Sequence, residues 1–137
     1  MDNLEKFVAA QAPLYESVLA ELRAGRKRTH WMWFVFPQIA GLGRSATARH
    51  YALASLAEAK AYLAHALLGE RLRQCCALVL AVEGRSAHEV FGDPDELKFR
   101  SCLTLFASAA PGEAVFAQCL EKYFGGLPDA GTLALIA

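Results

Sequence analysis

The sequence predicts an all-α fold, and three observations carry that prediction. Apolar residues near the N-terminus recur at steps of three, four and seven, the period of an amphipathic helix. Residues that begin or end helices punctuate the rest of the chain. No run alternates apolar and polar residues as a half-buried strand does, and no Asn-Gly hairpin signal occurs. We therefore expect a single compact domain over residues 1–137, an irregular orthogonal array of about seven helices.

The first elements follow from helix signals and one ambiguous apolar run. Residues 2–5 have the spacing of a capping box, and the apolar positions that follow predict a long helix that ends at Gly25. Pro13 interrupts this pattern, so the helix is either kinked or split there. Residues 31–36 are all apolar and carry no clear period, which predicts a short helical turn or an extended piece, mostly buried. Residues 39–43 read as a glycine-containing loop.

The second half of the chain contains further helix signals. Residues 55–58 form another capping box, and Pro94 lies between carboxylates in a strong start signal. Gly92 and the pair at 125–126 mark helix ends. Together these signals predict helices over residues 55–65, 67–82, 86–92, 96–109 and 113–125, with a last turn or two after 129.

Composition narrows the class of protein. The chain has 137 residues, enough for one domain, and its 55% apolar and 20% charged fractions argue against disorder. The apolar runs are far shorter than the roughly 20 residues that a membrane span needs, and no signal peptide is expected. We therefore expect a cytoplasmic protein with no membrane association. The four cysteines lack metal-ligand spacing, which predicts buried free thiols, no metal site and no cofactor.

The most distinctive stretch has no acidic residues. Between residues 22 and 57 there is no Asp or Glu, although the chain's formal net charge is +0, and the stretch contains Arg23, Arg26, Lys27, Arg28, Arg44 and Arg49. It surrounds the aromatic run at 31–36. Cations attract anions and flat side chains stack on rings, so the stretch suits an anionic, ring-bearing ligand. Two plainer interpretations stay open: the aromatics pack the core, and the cations are a solvated helix end.

A second candidate segment lies in the helix predicted over residues 96–109. Polar side chains at Lys98, Arg100, Ser101 and Thr104 interrupt an otherwise apolar helix. If they are buried they need partners, which indicates a polar cavity. Intrahelical ion pairs are the alternative, since Glu96 and Arg100 are spaced i,i+4 and Asp95 and Lys98 are spaced i,i+3.

The residues that carry these features also carry a family resemblance. The run at 25–38, with His30-Trp31-Met32-Trp33-Phe34 at its centre, the loop at 41–43 and the segment at 91–106 resemble the bacterial family catalogued as domain of unknown function eighteen-ten, whose members are sometimes labelled calpastatin. The resemblance covers nearly the whole chain and implies an all-α domain of uncharacterised activity. The calpastatin label does not fit an apolar, compact chain. A fainter likeness, in architecture and composition, is to the NAD- and ADP-ribose-associated (NADAR) superfamily.

These features lead to a ligand-binding hypothesis. The two segments together predict a cleft between the aromatic run and the helix at 96–109. A nucleotide or an ADP-ribose-like phosphorylated molecule would lie in this cleft. If the protein is an enzyme, cleavage of an N-glycosidic bond is the reaction we would expect, with His30 as acid or base. The candidate residues are Arg26, Lys27, Lys98 or Arg100 for phosphate, Trp33 for stacking, His30 or Gln38 for hydrogen bonds, Ser101 as a further ligand-binding residue, and Asp93, Asp95 or Asp129 as the carboxylate.

The rival hypothesis belongs to another class of protein. In it the chain is a non-enzymatic interaction module, the basic run binds an acidic protein or nucleic acid, and the aromatics are structural. The sequence pI of about 6.9 argues against tight binding of duplex nucleic acid. A concave pocket lined by His30, Trp33 and Lys98 would favour the ligand site. A flat basic face over buried tryptophans would favour the module.

Overall fold

The computed structural model describes residues 3–137, and the elements within that range are helices joined by loops. Apart from the helices, one isolated parallel bridge pairs Ile39 with Leu53. The expected capping box includes Asp2, which lies outside the described residues. The helices are α1 (Glu5–Gln11), α2 (Tyr15–Arg23), α3 (Met32–Val35), α4 (Ala46–Tyr51), α5 (Leu56–Ala64), α6 (Ala66–Ala81), α7 (Ala87–Phe91), α8 (Asp95–Ala109), α9 (Ala114–Phe124) and α10 (Ala130–Ile136).

The all-α prediction is confirmed, but ten helices replace the expected seven in the described part of the chain. The N-terminal helix is split, because α1 ends before Pro13 and α2 begins after it. The aromatic run forms the single turn α3, and a further short helix, α4, follows the glycine loop. Both are shorter than the windows in which helical periodicity can be recognised.

The end of α2 determines where the next loop begins. Gly25 has a φ of +71°, a conformation that side chains with a Cβ rarely adopt. Its N–H donates to Leu22 O, and Arg26 N–H donates to Glu21 O, both at 3.0 Å. These are the two hydrogen bonds of a Schellman motif. The helix therefore ends at the predicted glycine, and the chain leaves it at a fixed angle.

Helix α8 lies at the centre of the molecule and packs against α5, α7, α9 and α10. Its buried aromatics meet rings from several other elements: Phe99 lies 4.9 Å from Phe36 and Phe106 lies 5.5 Å from Tyr62, measured between ring centroids. The four cysteines are buried free thiols, as predicted. No helix within residues 3–137 has both the length and the apolar character needed to cross a membrane.

Candidate functional site

The basic run forms the loop that follows α2, and residues 26–30 are called the basic loop below. The Schellman motif at Gly25 fixes its first residue. Its second residue is attached to another element, because Lys27 N–H donates to Val90 O of α7 at 2.7 Å. The loop therefore bridges α2 and α7, and its backbone is held at both places before any side chain is considered.

Lys27 points inward and is fully engaged. Its ammonium lies 2.9 Å from Asp95 Oδ2, donates to Thr29 O at 2.6 Å and lies 5.0 Å from the centroid of the Trp31 ring. Only 7% of its side chain is exposed. Lys27 was expected to hold a ligand phosphate, but the structure uses this cation to join the loop to the first turn of α8.

A carboxylate from α2 holds the rest of the loop. Glu21 Oε1 accepts hydrogen bonds from the backbone N–H groups of Arg28 (2.6 Å) and Thr29 (3.0 Å) and from Trp31 Nε1 (3.1 Å). Its Oε2 accepts from Thr29 Oγ1 at 2.7 Å. Partial burial raises the pKa of the Glu21 carboxyl, but these hydrogen bonds outweigh burial and leave its pKa below the ordinary value.

The remaining side chains of the basic loop point outward. Arg26, Arg28 and His30 are exposed, and their side chains have no hydrogen-bond or ion-pair partner within residues 3–137. Lys27, Thr29 and Trp31 lie between and after them and bond to Asp95 or Glu21; they are called the inward residues, although Thr29 is itself exposed. The loop thus has a structural set of side chains and a basic set that is free within residues 3–137.

A second cation continues this surface onto α8. Lys98 lies 3.7 Å from Asp95 Oδ1, which confirms the predicted i,i+3 pair, and its ammonium is 5.1 Å from the centroid of the Trp33 ring. About a quarter of the Lys98 side chain is exposed, and Trp33 is half-buried. Asp95 thus links Lys27 to Lys98. Gln38 is also half-buried, and its side-chain amide has no partner in the described range.

The expected cleft between the aromatic run and α8 is not present in the described residues, which contain no pocket. The rings of Phe36 and Phe99 close that space. Trp31 is fully buried beside Phe36 with no exposed face, so it belongs to the core. The aromatic run therefore serves mainly as packing.

Two polar residues of α8, Arg100 and Ser101, donate to backbone carbonyls, and residues 3–137 contain neither the polar cavity nor the Glu96–Arg100 pair. Arg100 donates to the carbonyl oxygens of residues 127 and 128. Ser101 donates to Leu97 O, one turn earlier in the same helix. Glu96 pairs with His88 instead, at 2.9 Å. Arg100 and Ser101 thus have structural partners and are separate from the basic loop.

The candidate catalytic residues do not form a cluster. Asp95 lies between two lysines, and Asp129 accepts hydrogen bonds from the N–H and hydroxyl of Thr132 at the start of α10. Asp93 and His30 are exposed, and no contact joins one to the other within residues 3–137. That range also contains no group of three or more His, Cys, Asp or Glu side chains placed to hold a metal ion.

Sequence reasoning missed Glu21, and it included Arg28 in the basic run that binds an acidic partner but not among the residues of the ligand cleft. A signal for Glu21 was available. It lies in the last turn of α2, where the negative end of the helix dipole disfavours an acid unless donors surround it. The donors that follow in the loop supply that compensation. Nothing in the sequence distinguished Arg28 from its neighbour Lys27.

Comparison with known proteins gives two matches. The model of the family described as protein of unknown function (DUF1810) matches residues 1–136. The chain is similar to the crystal structure of the conserved hypothetical protein Rv1873 from Mycobacterium tuberculosis. The two are 57% identical with a TM-score of 0.97, over 98% of this chain and 96% of that one. No curated protein matches.

Proposed function

The chain belongs to the DUF1810 family of proteins of unknown function, and we propose that it is a non-enzymatic interaction module whose basic loop binds an acidic segment of a partner protein. The observation that carries the proposal is the outward side of the loop. Arg26, Arg28 and His30 are exposed there, with no side-chain partner among residues 3–137, on a backbone that Glu21 and Lys27 hold in place. Because the loop backbone is already held in place, it does not have to be ordered when these side chains bind a partner, and less entropy is lost.

Two further observations favour a protein segment over a nucleic acid. Single-stranded nucleic acids bind by stacking bases on exposed aromatic rings as well as by charge. Trp31 is buried, and Lys98 lies over the half-buried Trp33, so neither ring offers an open face of full size. The large apolar side chains exposed in residues 3–137 are leucines. An acidic protein segment, by contrast, can bind through its carboxylates to the exposed cations of the basic loop without any aromatic ring.

The test is a binding titration with a labelled decaglutamate peptide, followed by fluorescence anisotropy at low salt. The triple variant Arg26→Gln, Arg28→Gln, His30→Gln is expected to bind about tenfold more weakly, with a shallower dependence on salt. The matched control is Arg44→Gln with Arg49→Gln, which removes two exposed cations of the same acid-free segment outside the basic loop.

Each outcome separates the candidates. Equal loss in the triple variant and the control would mean that binding follows overall charge, which would contradict the proposal. Tighter binding of single-stranded oligothymidine of equal charge, lost in the triple variant, would make nucleic acid the partner instead. At the same concentration, the decaglutamate peptide must also raise the melting temperature of the wild type more than that of the triple variant, because a ligand that binds the folded state more tightly stabilises it more.

A second candidate function rests on Trp33. Its half-buried ring, the Lys98 ammonium 5.1 Å from the ring centroid and the Gln38 amide, which has no partner within the described range, are groups suited to a nucleotide or ADP-ribose-like ligand. N-glycosidic cleavage there would depend on Asp93, because Asp95 is neutralised by two lysines. A thermal-shift screen against ADP-ribose, NAD and mononucleotides tests this candidate. A shift that Trp33→Ala abolishes in a folded variant would support it; no shift would contradict it.

A further inference from the structure

The donors that surround Glu21 form an oxyanion receptor, and we propose that this receptor binds a carboxylate or phosphate group of a ligand, with Glu21 as its occupant when the ligand is absent. The inference deepens the proposed function and rests on it in one respect, since the bound oxyanion would belong to the partner. The donors that would bind the partner's oxyanion are the N–H groups of Arg28 and Thr29, the Thr29 hydroxyl and the Trp31 indole N–H.

The chemistry of the donor set supports this assignment. Two successive backbone N–H groups that point to one acceptor are a recurring element of anion sites, and here a hydroxyl and an indole N–H complete the set. All four donors belong to residues 28–31, whereas the acceptor comes from α2. The receptor and its occupant are therefore separate parts of the molecule. An oxyanion from outside meets the same donors if the Glu21 side chain rotates away.

The buried indole explains why the receptor does not remain empty. Trp31 is fully buried, and its Nε1 has Glu21 as its hydrogen-bond partner. A buried donor left without an acceptor costs about 1 to 3 kcal/mol. The fold must therefore supply an acceptor whenever no ligand is bound, and the Glu21 carboxylate in the last turn of α2 meets that need.

The free cations determine which ligands can displace Glu21. A tethered carboxylate competes at an effective concentration of the order of millimolar or above, so a simple monoanion at lower concentration fails. A ligand with a second negative charge also reaches Arg26, Arg28 or His30, which have no other partner in the described residues. The receptor is thus selective for phosphate or for closely spaced carboxylates over isolated monoanions.

The test observes the Trp31 indole directly. In protein labelled with ¹⁵N-tryptophan, two indole N–H resonances are expected, and Trp33→Phe assigns them. Wild type and Glu21→Gln are titrated with inorganic phosphate and, separately, with formate, at ionic strength held constant with chloride. Phosphate is expected to move the Trp31 resonance in both proteins, about tenfold or more tightly in Glu21→Gln, because the charged competitor is gone. Glu16→Gln removes an exposed acid of the same helix and should behave as wild type.

Two results would overturn the inference. If phosphate moves the Trp31 resonance in Glu21→Gln but not in wild type at hundredfold higher concentration, Glu21 is a permanent structural acceptor. If neither protein responds although both spectra are those of folded proteins, no receptor exists. Should Glu21→Gln fail to fold, Glu21→Asp takes its place. Its shorter side chain reaches the donors less well, so phosphate is expected to bind more tightly than in wild type, and an affinity equal to that of wild type would contradict the inference. Wild type is expected to respond to phosphate but not to formate at the same concentration, because formate carries a single charge; equal responses to both would contradict the selectivity for a second negative charge.

The failure of this inference is distinguishable from failure of the proposed function. The probes here are small anions and the readout is one indole, whereas the earlier test uses a peptide and the outward side chains. A Trp31 response without decaglutamate binding would support the oxyanion receptor and contradict the proposal of an acidic protein partner. Decaglutamate binding without a Trp31 response would support the acidic protein partner and contradict the oxyanion receptor.

Discussion

The inward and outward sides of the basic loop differ although their residues alternate in one short stretch of sequence. Lys27 has an ion pair, a hydrogen bond and a tryptophan ring as partners, and it is almost fully buried. Its neighbours Arg26 and Arg28 are exposed with free side chains in the described part of the chain. Residues of the same charge that are adjacent in the sequence can therefore have different roles. The role of each depends on whether its side chain faces the rest of the fold or the solvent.

The largest effect is expected where the inward side is held, at Glu21. Glu21→Ala removes the acceptor of four hydrogen bonds and leaves the buried Trp31 indole N–H without a partner. We expect the free energy of unfolding to fall by about 2 to 3 kcal/mol. Urea denaturation followed by circular dichroism measures it. A loss below about 0.5 kcal/mol would mean that the inward side is not held by Glu21.

A smaller loss is expected for the inward lysine, with its outward neighbour as the matched control. Lys27→Gln leaves Asp95 with the longer Lys98 contact alone and should lower the free energy of unfolding by about 2 kcal/mol. Arg28→Gln removes a cation whose side chain has no partner in the part of the chain that the structure describes, and it should change the free energy of unfolding by less than about 0.5 kcal/mol. Equal effects in the same denaturation assay would abolish the distinction between the two sides.

Acid should weaken the inward side through Glu21. Its folded-state pKa lies below the ordinary value of 4.5, so its contribution to stability is fully present above that value and is lost as the pH falls through the folded pKa. Glu21→Gln removes this contribution. Melting temperature plotted against pH should therefore fall less steeply below pH 4.5 in Glu21→Gln than in wild type. Parallel curves would show that the carboxylate is not what acid disrupts.

The smallest effect is expected at Lys98, which continues the outward surface onto α8. Its contact with Asp95 is 3.7 Å long, and its side chain is partly exposed. Lys98→Gln should lower the free energy of unfolding by about 0.5 kcal/mol, in the range of solvent-exposed pairs. Thermal denaturation checks this value. A loss as large as that of Lys27→Gln would place Lys98 with the inward residues.

Most of the fold was predictable because its signals are local. Gly25 ends α2 with the hydrogen bonds that its position predicted, and the acid-rich start signal around Pro94 precedes α8. The short helices α3 and α4 could not be recognised in the sequence, because a helix of one or two turns is too short to show a periodic apolar pattern. The cleft was wrong for a different reason: ring packing between Phe36 and Phe99 is a tertiary contact that no local pattern records.

The candidate site was less predictable than the fold. The acid-free segment correctly directed attention to residues 26–30, but a run of cations does not reveal which members point inward. That depends on the backbone after Gly25 and on the attachment of Lys27 to Val90. Arg100 was a candidate for phosphate because its carbonyl partners, at residues 127 and 128, are distant in the sequence. The role of Glu21 was not predicted because Glu21 lies in α2, whereas its hydrogen-bond donors lie in the loop that follows and at Trp31.

The most direct test of the division between the two sides applies two assays to the same pair of variants. Arg28→Gln and Lys27→Gln each remove one positive charge, so they are matched in charge. Arg28→Gln is expected to weaken decaglutamate binding severalfold without a change in melting temperature, whereas Lys27→Gln is expected to lower the melting temperature by several degrees. If Lys27→Gln weakens binding as much as Arg28→Gln while its melting temperature stays that of wild type, the structural and binding roles are not divided between the two sides of the loop.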